Sequence, residues 1–301
     1  MALTSTRGTI IGSIAILLWS SLALFTTQAN AVPPLLLLAL TFSVASVLFF
    51  IVYLIKGQLV SSWQQTPTRA KLMGGISFFL YHFCYFYAFQ HAPPIEAGLI
   101  AYLWPLLIVL MAGMSSTNKL LWTHLLGAIV AFIATGMMLH SRAAGSSHEI
   151  QATSLGYGAA FACAFIWSGY SVANRRFHKV PSSAVLWYCL MTTLLAVIAH
   201  LLLEPLHWHF STNTWVAVIG LGLGPVGIAF FCWDMGVKRG NLSLLGVLSY
   251  TAPALSTAWL GLFGHQTPTD TQVVACVMIT ASALFASLMP TKRKTSLVQK
   301  P

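Results

Sequence analysis

Charged side chains are the scarcest feature of this sequence. Only 7% of its 301 residues are Asp, Glu, Lys or Arg, whereas a water-soluble domain is about 25% charged. The five cysteines include no CxxC pair, so the usual sequence patterns of zinc and redox sites are missing. We therefore expect no metal site and no cofactor, and we predict that the chain is not a water-soluble domain.

Apolar runs long enough to cross a bilayer take the place of the missing charges. Hydrophobic residues make up 57% of the chain, and a helix needs about 20 apolar residues to span the hydrocarbon layer. The sequence predicts an all-α integral membrane protein with ten transmembrane helices and the lipid bilayer as its surroundings. The predicted spans are 8–27, 32–55, 72–90, 95–114, 121–140, 154–175, 182–203, 213–236, 241–262 and 269–289.

The net charge of +10 has an uneven distribution along the chain. If the N-terminus is cytoplasmic, every Lys and Arg except Arg142 falls in a cytoplasmic segment or at its border. Cytoplasmic loops of membrane proteins are enriched in these residues. This pattern predicts that both termini are cytoplasmic, and it argues against a nucleic-acid partner as the reason for the positive charge.

An internal repeat relates the two halves of the chain at a constant separation of 148 positions. The matches from the first to the fourth span are Gly8 with Gly156, Trp19-Ser20 with Trp167-Ser168, Pro33 with Pro181, Gly74 with Gly222, and Phe83-Cys84 with Phe231-Cys232. We predict one five-helix repeat in residues 1–148, a second in residues 149–290, and a basic cytoplasmic tail in residues 291–301. Because five is odd, the second copy is inverted in the membrane, as in many secondary transporters.

The fourth span of each repeat carries the same polar pattern in its middle. Gly98, Tyr102 and Pro105 recur as Gly246, Tyr250 and Pro253. Proline lacks an N–H and disturbs the carbonyl four residues earlier, so each span should kink there. Irregular backbone at membrane depth is tolerated when it is buried in protein or lines a cavity. Pro105 and Pro253 are therefore candidate hinges, with a purely structural kink as the alternative.

Aromatic and polar residues in three further spans complete a candidate substrate site. Trp19 and Trp167 fall near the middles of spans one and six, although tryptophan prefers the membrane interface. The third span is very aromatic and places Tyr81, His82 and Tyr85 near the same depth. Polar groups at this depth are functional candidates. Core packing is the alternative for the tryptophans and for His82.

These features resemble those of the drug/metabolite transporter superfamily, in its EamA-like branch. The resemblance covers essentially the whole chain and is carried by the two repeats, by YLWP at 102–105, by YFYAFQ at the end of the third span and by Trp19-Ser20. Within the branch, these motifs are similar to those of exporters of aromatic amino acids. The resemblance implies a transporter in the inner membrane of a bacterium and a central cavity that opens alternately to each side.

The resemblance also assigns part of the site. It implies substrate contacts for Trp19, Tyr85, Tyr102, Trp104 and Trp167 and a special role for Pro105, whereas Tyr81, His82, Tyr250 and Pro253 come from depth and symmetry. On an ideal helix Trp104 points about 200° away from Tyr102. Both can line one cavity only if the helix is interrupted between them.

Three functions are compatible with the sequence. The first is export of aromatic and other amphipathic amino acids, which are small-molecule partners that suit an aromatic, almost uncharged pocket. The second is efflux of drugs or cationic compounds, for which only Glu96 and Asp234 offer nearby carboxylates. The third is an intramembrane enzyme built on Ser20, His82 and Asp234, which we do not favour. The sequence leaves the oligomeric state open, with a monomer among the alternatives.

Overall fold

The computed structural model describes residues 2–29, 31–92, 94–113, 122–143, 154–206, 208–252, 254–255, 258–259 and 269–288. Within these ranges all regular structure is helical and no strand occurs. Four helical stretches are long and apolar enough to cross a membrane: Ser5–Thr26, Pro34–Ile55, Ala184–Leu203 and Thr212–Arg239. Shorter apolar helices cover Trp104–Gly113, Trp122–Met137 and Val273–Ser282. The prediction of an all-α membrane protein is confirmed at this level.

In the part of the first half that the structure describes there are eight helices. They are α1 (Ala2–Ser20), α2 (Leu22–Gln28), α3 (Pro34–Ile55), α4 (Leu59–Gln65), α5 (Thr68–His91), α6 (Pro94–Ala101), α7 (Trp104–Gly113) and α8 (Trp122–Ala143). Pro34 occupies the first turn of α3, a position where the missing N–H of proline has no cost. The short helix α4 was not predicted from the sequence.

Among its described residues, the second half forms six α-helices, a short 3-10 helix (Arg175–Phe177) and one π-helical segment. The α-helices are α9 (Ser154–Asn174), α10 (Ala184–Leu203), α11 (Thr212–Leu221), α12 (Ala229–Arg239), α13 (Leu242–Ser249) and α14 (Asp270–Leu288). The π segment, Gly222–Ile228, joins α11 to α12 and contains Pro225. Polar side chains begin two of these helices: Ser211 Oγ accepts from the backbone N–H of Thr214, and Asn241 Oδ1 accepts from that of Leu244.

Several spans predicted as single helices are interrupted in the structure. The span 95–114 divides into α6 and α7, with a turn at Tyr102-Leu103. The span 8–27 divides into α1 and α2 around Ser21. The helix that begins at Leu242 ends at Ser249, short of the predicted 262. Continuous helices were the wrong expectation here, because apolar composition shows membrane depth but does not reveal where the backbone leaves the helical path.

The helices of the two halves pack in matched pairs. Helix α1 packs against α12 and α5 against α9, while α3 packs against α10, α7 against α13 and α8 against α14. A Cβ atom on Gly8 would meet the backbone of Arg239 and Gly240, and one on Gly156 would meet that of His91 and the side chain of Ala92. Each residue of the second contact matches one of the first at a separation of 148 positions.

The bundle has two distinct ends. At the first, which we call the basic end, Lys238 Nζ donates to the carbonyl oxygen of Val180 at 3.2 Å, and the backbone N–H of Asn241 donates to Thr9 Oγ1 at 2.9 Å. Lys71 lies 3.0 Å above the ring of Trp63 there. At the opposite end, the Glu204 carboxylate accepts from the first backbone N–H groups of α3 and from His200 Nδ1. This arrangement stabilises the positive pole of α3.

Candidate functional site

A cavity of about 380 Å³ lies between the two halves of the bundle. Its volume is within the range of about 300–1,000 Å³ that is typical of small-molecule sites. The lining comes from both halves of the chain. Its aromatic members are Trp19, Phe42, Tyr81, His82, Tyr85, Phe86, Tyr102, Trp104, Trp167 and Phe230. An aromatic body of substrate would therefore meet rings on most sides.

The structure brings together seven of the eight predicted substrate-binding residues. The residues that line the cavity are Trp19, Tyr81, His82, Tyr85, Tyr102, Trp104 and Trp167. Tyr250 is the exception, because it is fully buried in a neighbouring cluster with Val109 and Ala128. Its role as a substrate contact stays a prediction, because Tyr250 does not line the cavity in this structure. Its hydroxyl group nevertheless donates to the backbone of Tyr102, which lines the cavity.

Trp19 is at the centre of the aromatic cluster. Its ring centroid lies 5.8 Å from that of Trp167, 6.1 Å from that of Trp104 and 5.1 Å from that of Trp233. Its indole N–H donates to the carbonyl oxygen of Pro225 at 3.0 Å. Pro225 lies in the π segment, so this hydrogen bond satisfies both the indole and a carbonyl group of irregular backbone. Trp19 thus connects the two halves at the floor of the cavity.

The interruption between α6 and α7 explains how Tyr102 and Trp104 both face the cavity. Pro105 is buried in the first turn of α7, where it needs no N–H partner. It therefore begins a new helix, and the expected kink of a continuous helix is replaced by this break. Two side chains hold the break: Ser168 Oγ donates to the carbonyl oxygen of Trp104 at 2.9 Å, and the Tyr250 hydroxyl donates to that of Tyr102 at 3.1 Å. Pro253 lies outside the described residues.

His82 is held in one orientation by its own helix. Nδ1 lies 2.7 Å from the carbonyl oxygen of Phe78. Because a carbonyl oxygen can only accept, Nδ1 carries the proton and Nε2 of the neutral imidazole is an acceptor. The ring packs at 5.1 Å from Phe42, 4.9 Å from Tyr81 and 5.9 Å from Phe230. His82 therefore contributes a neutral polar group to an aromatic wall.

The cavity also includes residues that were not predicted from the sequence, among them Phe42, Pro225 and Phe230. Phe42 looks like any apolar residue of its span and carries no signal. Pro225, in contrast, stands in the middle of a predicted span, as Pro105 does. Phe230 is the repeat counterpart of His82, so the offset of 148 positions already pointed to it.

The cavity lies in the half of the bundle that is remote from the basic end. Leu22 and Thr26 of α2 and Leu37 of α3 line it, and these segments lie near the end where Glu204 is found. Toward the basic end the core is closed by four aromatic side chains, each at most 3% exposed: Phe78, Tyr170, Tyr188 and Trp233. We call this region the sealed half.

The lining is mainly aromatic and apolar, with a few polar groups and almost no charge. None of the described lining residues is Asp, Glu, Lys or Arg. Asp234 is instead buried in the sealed half, where Lys238 Nζ lies 2.9 Å from its Oδ2. Ser20 bonds to the carbonyl oxygen of Leu17 and to the indole of Trp259. The three residues considered for an enzyme are thus not assembled in the described structure.

Comparisons with known proteins agree with this architecture. The model of the EamA-like transporter family matches residues 6–140 and again residues 154–288. The aromatic amino acid exporter YddG of Ancylobacter novellus is 46% identical over 95% of this chain and 99% of its own length. The protein of the same name from Escherichia coli K12 is 28% identical over 85% of this chain and 88% of its own.

A solved crystal structure is also similar to the chain. It has a TM-score of 0.87 and 46% sequence identity, and the match covers 94% of this chain and 97% of the other. The resemblance drawn from YLWP, YFYAFQ and the repeated spans is confirmed by these matches. The protein is a membrane transporter and not an enzyme, and it belongs to the EamA-like transporter family.

Proposed function

We propose that the protein exports aromatic and other amphipathic amino acids from the cytoplasm of a bacterium. The observation that carries the proposal is the cavity, whose lining is aromatic on most sides and includes no Asp, Glu, Lys or Arg among the described residues. Burial of an apolar side chain contributes about 25 cal/mol per Å² there. Neutral dipoles would hold the ammonium and carboxylate groups. The names of the relatives support the same class of substrate.

We also propose that the chain forms ten spans in two inverted repeats. Three pairs of residues separated by 148 positions support this arrangement because they contact one another directly. Trp19 packs on Trp167, His82 packs on Phe230, and the Tyr250 hydroxyl donates to the carbonyl group of Tyr102. Residues that are equivalent under a two-fold axis meet each other only close to that axis. In this arrangement the cavity would lie where inverted-repeat transporters bind their substrates.

The side to which the cavity belongs follows from the positive-inside rule. The basic end collects Arg7, Lys71, Arg175 and Lys238, so it would face the cytoplasm. The cavity would then be accessible from the outer face, while the sealed half closes the cytoplasmic side. Alternating access would close the outer side and open the cytoplasmic side. The regions that bend would be the interrupted helices α6, α7 and α13 and the π segment.

Flux of labelled amino acids in proteoliposomes tests the proposed substrate class. We expect transport of Phe, Trp and Tyr, weaker transport of Met and Leu, and poor transport of Glu, because the described lining offers no cation for a second carboxylate. The panel is measured with and without a proton gradient. Good transport of a dicationic drug together with exclusion of Phe would replace amino acid export by drug efflux.

Pro105 tests whether the break between α6 and α7 moves during transport. Because proline already occupies a tolerated position of α7, Pro105→Ala should leave equilibrium binding of Phe nearly unchanged. A more continuous helix should slow flux by about two- to fivefold, which corresponds to about 1 kcal/mol in the barrier. Pro253→Ala provides the matched variant in the second repeat. Normal flux in both single variants and in the double variant would reduce the prolines to packing residues.

A further inference from the structure

A buried ion pair occupies the sealed half, next to the basic end. Asp234 is fully buried, and Lys238 is 8% exposed. Lys238 Nζ donates to Asp234 Oδ2 at 2.9 Å, and Asn174 Nδ2 donates to Asp234 Oδ1 at 2.7 Å. A buried ion pair contributes little net stability compared with well-packed apolar residues. Folding alone therefore gives no reason for these two charges at this depth.

Further polar atoms around this pair have no hydrogen-bond partner in the described structure. They are the hydroxyl groups of Tyr170 and Tyr188 and the Oδ1 atom of Asn174. Tyr170 and Asn174 are one turn apart on the same face of α9, and the rings of Tyr170 and Tyr188 lie 6.4 Å apart. A buried polar atom without a partner is costly. Several of them in one region indicate that something polar occupies it in another state.

The internal repeat identifies that other state. Moving 148 positions from residues that line the cavity leads into this region: Leu22 corresponds to Tyr170, Thr26 to Asn174 and Phe86 to Asp234. If the repeats exchange conformations, these residues would line the cavity that opens at the basic end. That cavity would carry the Asp234 carboxylate where the present one carries the Phe86 ring, with Lys238 one turn further along α12.

We propose that Asp234 and Lys238 form the site that receives the zwitterionic head of the amino acid from the cytoplasmic face. The substrate ammonium would bind the Asp234 carboxylate and Asn174 Oδ1. The substrate carboxylate would bind Lys238 Nζ and the hydroxyl groups of Tyr170 and Tyr188. Each charge of the ion pair then exchanges its partner for an opposite charge of the substrate. This inference rests on the proposed export function and assigns a subsite to it.

The test separates the two charges of the substrate. Three ligands compete with labelled Phe for uptake into inverted membrane vesicles, whose outer surface is the cytoplasmic face: Phe, phenylalaninamide, which lacks the carboxylate, and 3-phenylpropionate, which lacks the ammonium. Lys238→Met should weaken the binding of Phe and of 3-phenylpropionate by at least about tenfold. It should change the binding of phenylalaninamide by no more than about twofold. Asp234→Asn should weaken the binding of Phe and of phenylalaninamide and leave the binding of 3-phenylpropionate unchanged.

Matched variants distinguish binding of the substrate charges from a purely structural role of the Asp234–Lys238 ion pair. The conservative changes Asp234→Glu and Lys238→Arg keep both charges and should retain the wild-type order of the three ligands. Arg176→Gln removes an exposed charge near the same face and should have no effect. In right-side-out vesicles, where ligands reach the other face, Lys238→Met and Asp234→Asn should bind all three ligands as the wild type does. Equal loss of all ligands at both faces would overturn the proposal.

The double variant Asp234→Asn/Lys238→Met covers the case in which a single unpaired charge prevents folding, because it removes both charges together. It should be produced normally and lose the preference for Phe over both analogues at the cytoplasmic face. A double variant that keeps this preference would also overturn the proposal. The export function fails separately, through a wild type that does not transport Phe.

Discussion

The half of the bundle that holds the cavity and the sealed half are built from equivalent positions but contain different side chains. Tyr85 and Phe86 line the cavity, whereas the matching positions in the sealed half hold Trp233 and Asp234. Tyr85 and Phe86 border the open space of the cavity. Trp233, in contrast, is 1% exposed and belongs to the closed core. Equivalent backbone positions of the two repeats are therefore in different states in the same structure.

Gly12 of α1 and Gly236 of α12 are in close contact at the basic end, and disrupting this contact should have the largest effect. A Cβ atom on Gly236 would lie 2.5 Å from the Cα atom of Gly12, and backbone cannot move aside as a flexible side chain can. Gly236→Val should therefore separate α1 from α12 and destabilise the protein by about 3 kcal/mol or more. Thermal unfolding in detergent measures the effect.

Gly158→Val is the matched control, because a Cβ atom on Gly158 meets nothing within 4 Å. Its melting temperature should stay close to that of the wild type. If both variants melted alike, the close approach of α1 and α12 would have no special part in closing the basic end.

Trp19 contacts aromatic rings of both repeats, and its replacement should have the second-largest effect. Trp19→Ala removes ring contacts with Trp104, Trp167 and Trp233 and the hydrogen bond to Pro225. We expect transport of Phe and Trp to fall at least about tenfold, which corresponds to about 1.4 kcal/mol in the transport barrier. Trp208→Ala, at an exposed tryptophan outside the cavity, should transport normally.

Tyr102 and Tyr250 sharpen the comparison because they are repeat counterparts in different surroundings. Tyr102 lines the cavity, so Tyr102→Phe should change the order of preference among substrates. Tyr250→Phe removes the hydrogen bond that supports the break, which is worth about 1 kcal/mol. It should slow all substrates by roughly the same few-fold factor. Ratios of kcat/KM for Phe, Tyr and Leu separate the two effects, and identical ratios in both variants would mean that the two tyrosines share one role.

His82 should have the smallest effect on the pH dependence of transport. An imidazole with its ordinary pKa changes charge between about pH 5 and 8. His82 is enclosed by aromatic rings, and Nδ1 donates to Phe78, so we expect a neutral ring throughout this range. His82→Gln should leave the pH profile of Phe flux unchanged. A flat profile in the variant beside a sloping one in the wild type would identify His82 as a proton site.

The sequence predicted the helical fold and most of the site because depth, aromatic composition and the repeat are all linear patterns. Trp19, Tyr85 and Trp167 lie in the middle of apolar runs, where the polar parts of their side chains need an explanation. The π segment and the turn at Tyr102-Leu103 could not be located to the residue, because both depend on contacts with other helices, such as Ser168 with Trp104. Phe42 was missed for a related reason, since its neighbours belong to distant segments.

The uncharged lining of the cavity also bears on the driving force of transport. A membrane potential acts on moving charge, at about 2.3 kcal/mol per elementary charge and 100 mV. A zwitterion has no net charge, and neither it nor the cavity around it would move charge through the field. Export of a neutral amino acid would then be electroneutral and insensitive to voltage. Unless an ion accompanies the substrate, net export would stop when the cytoplasmic and external concentrations of the amino acid are equal.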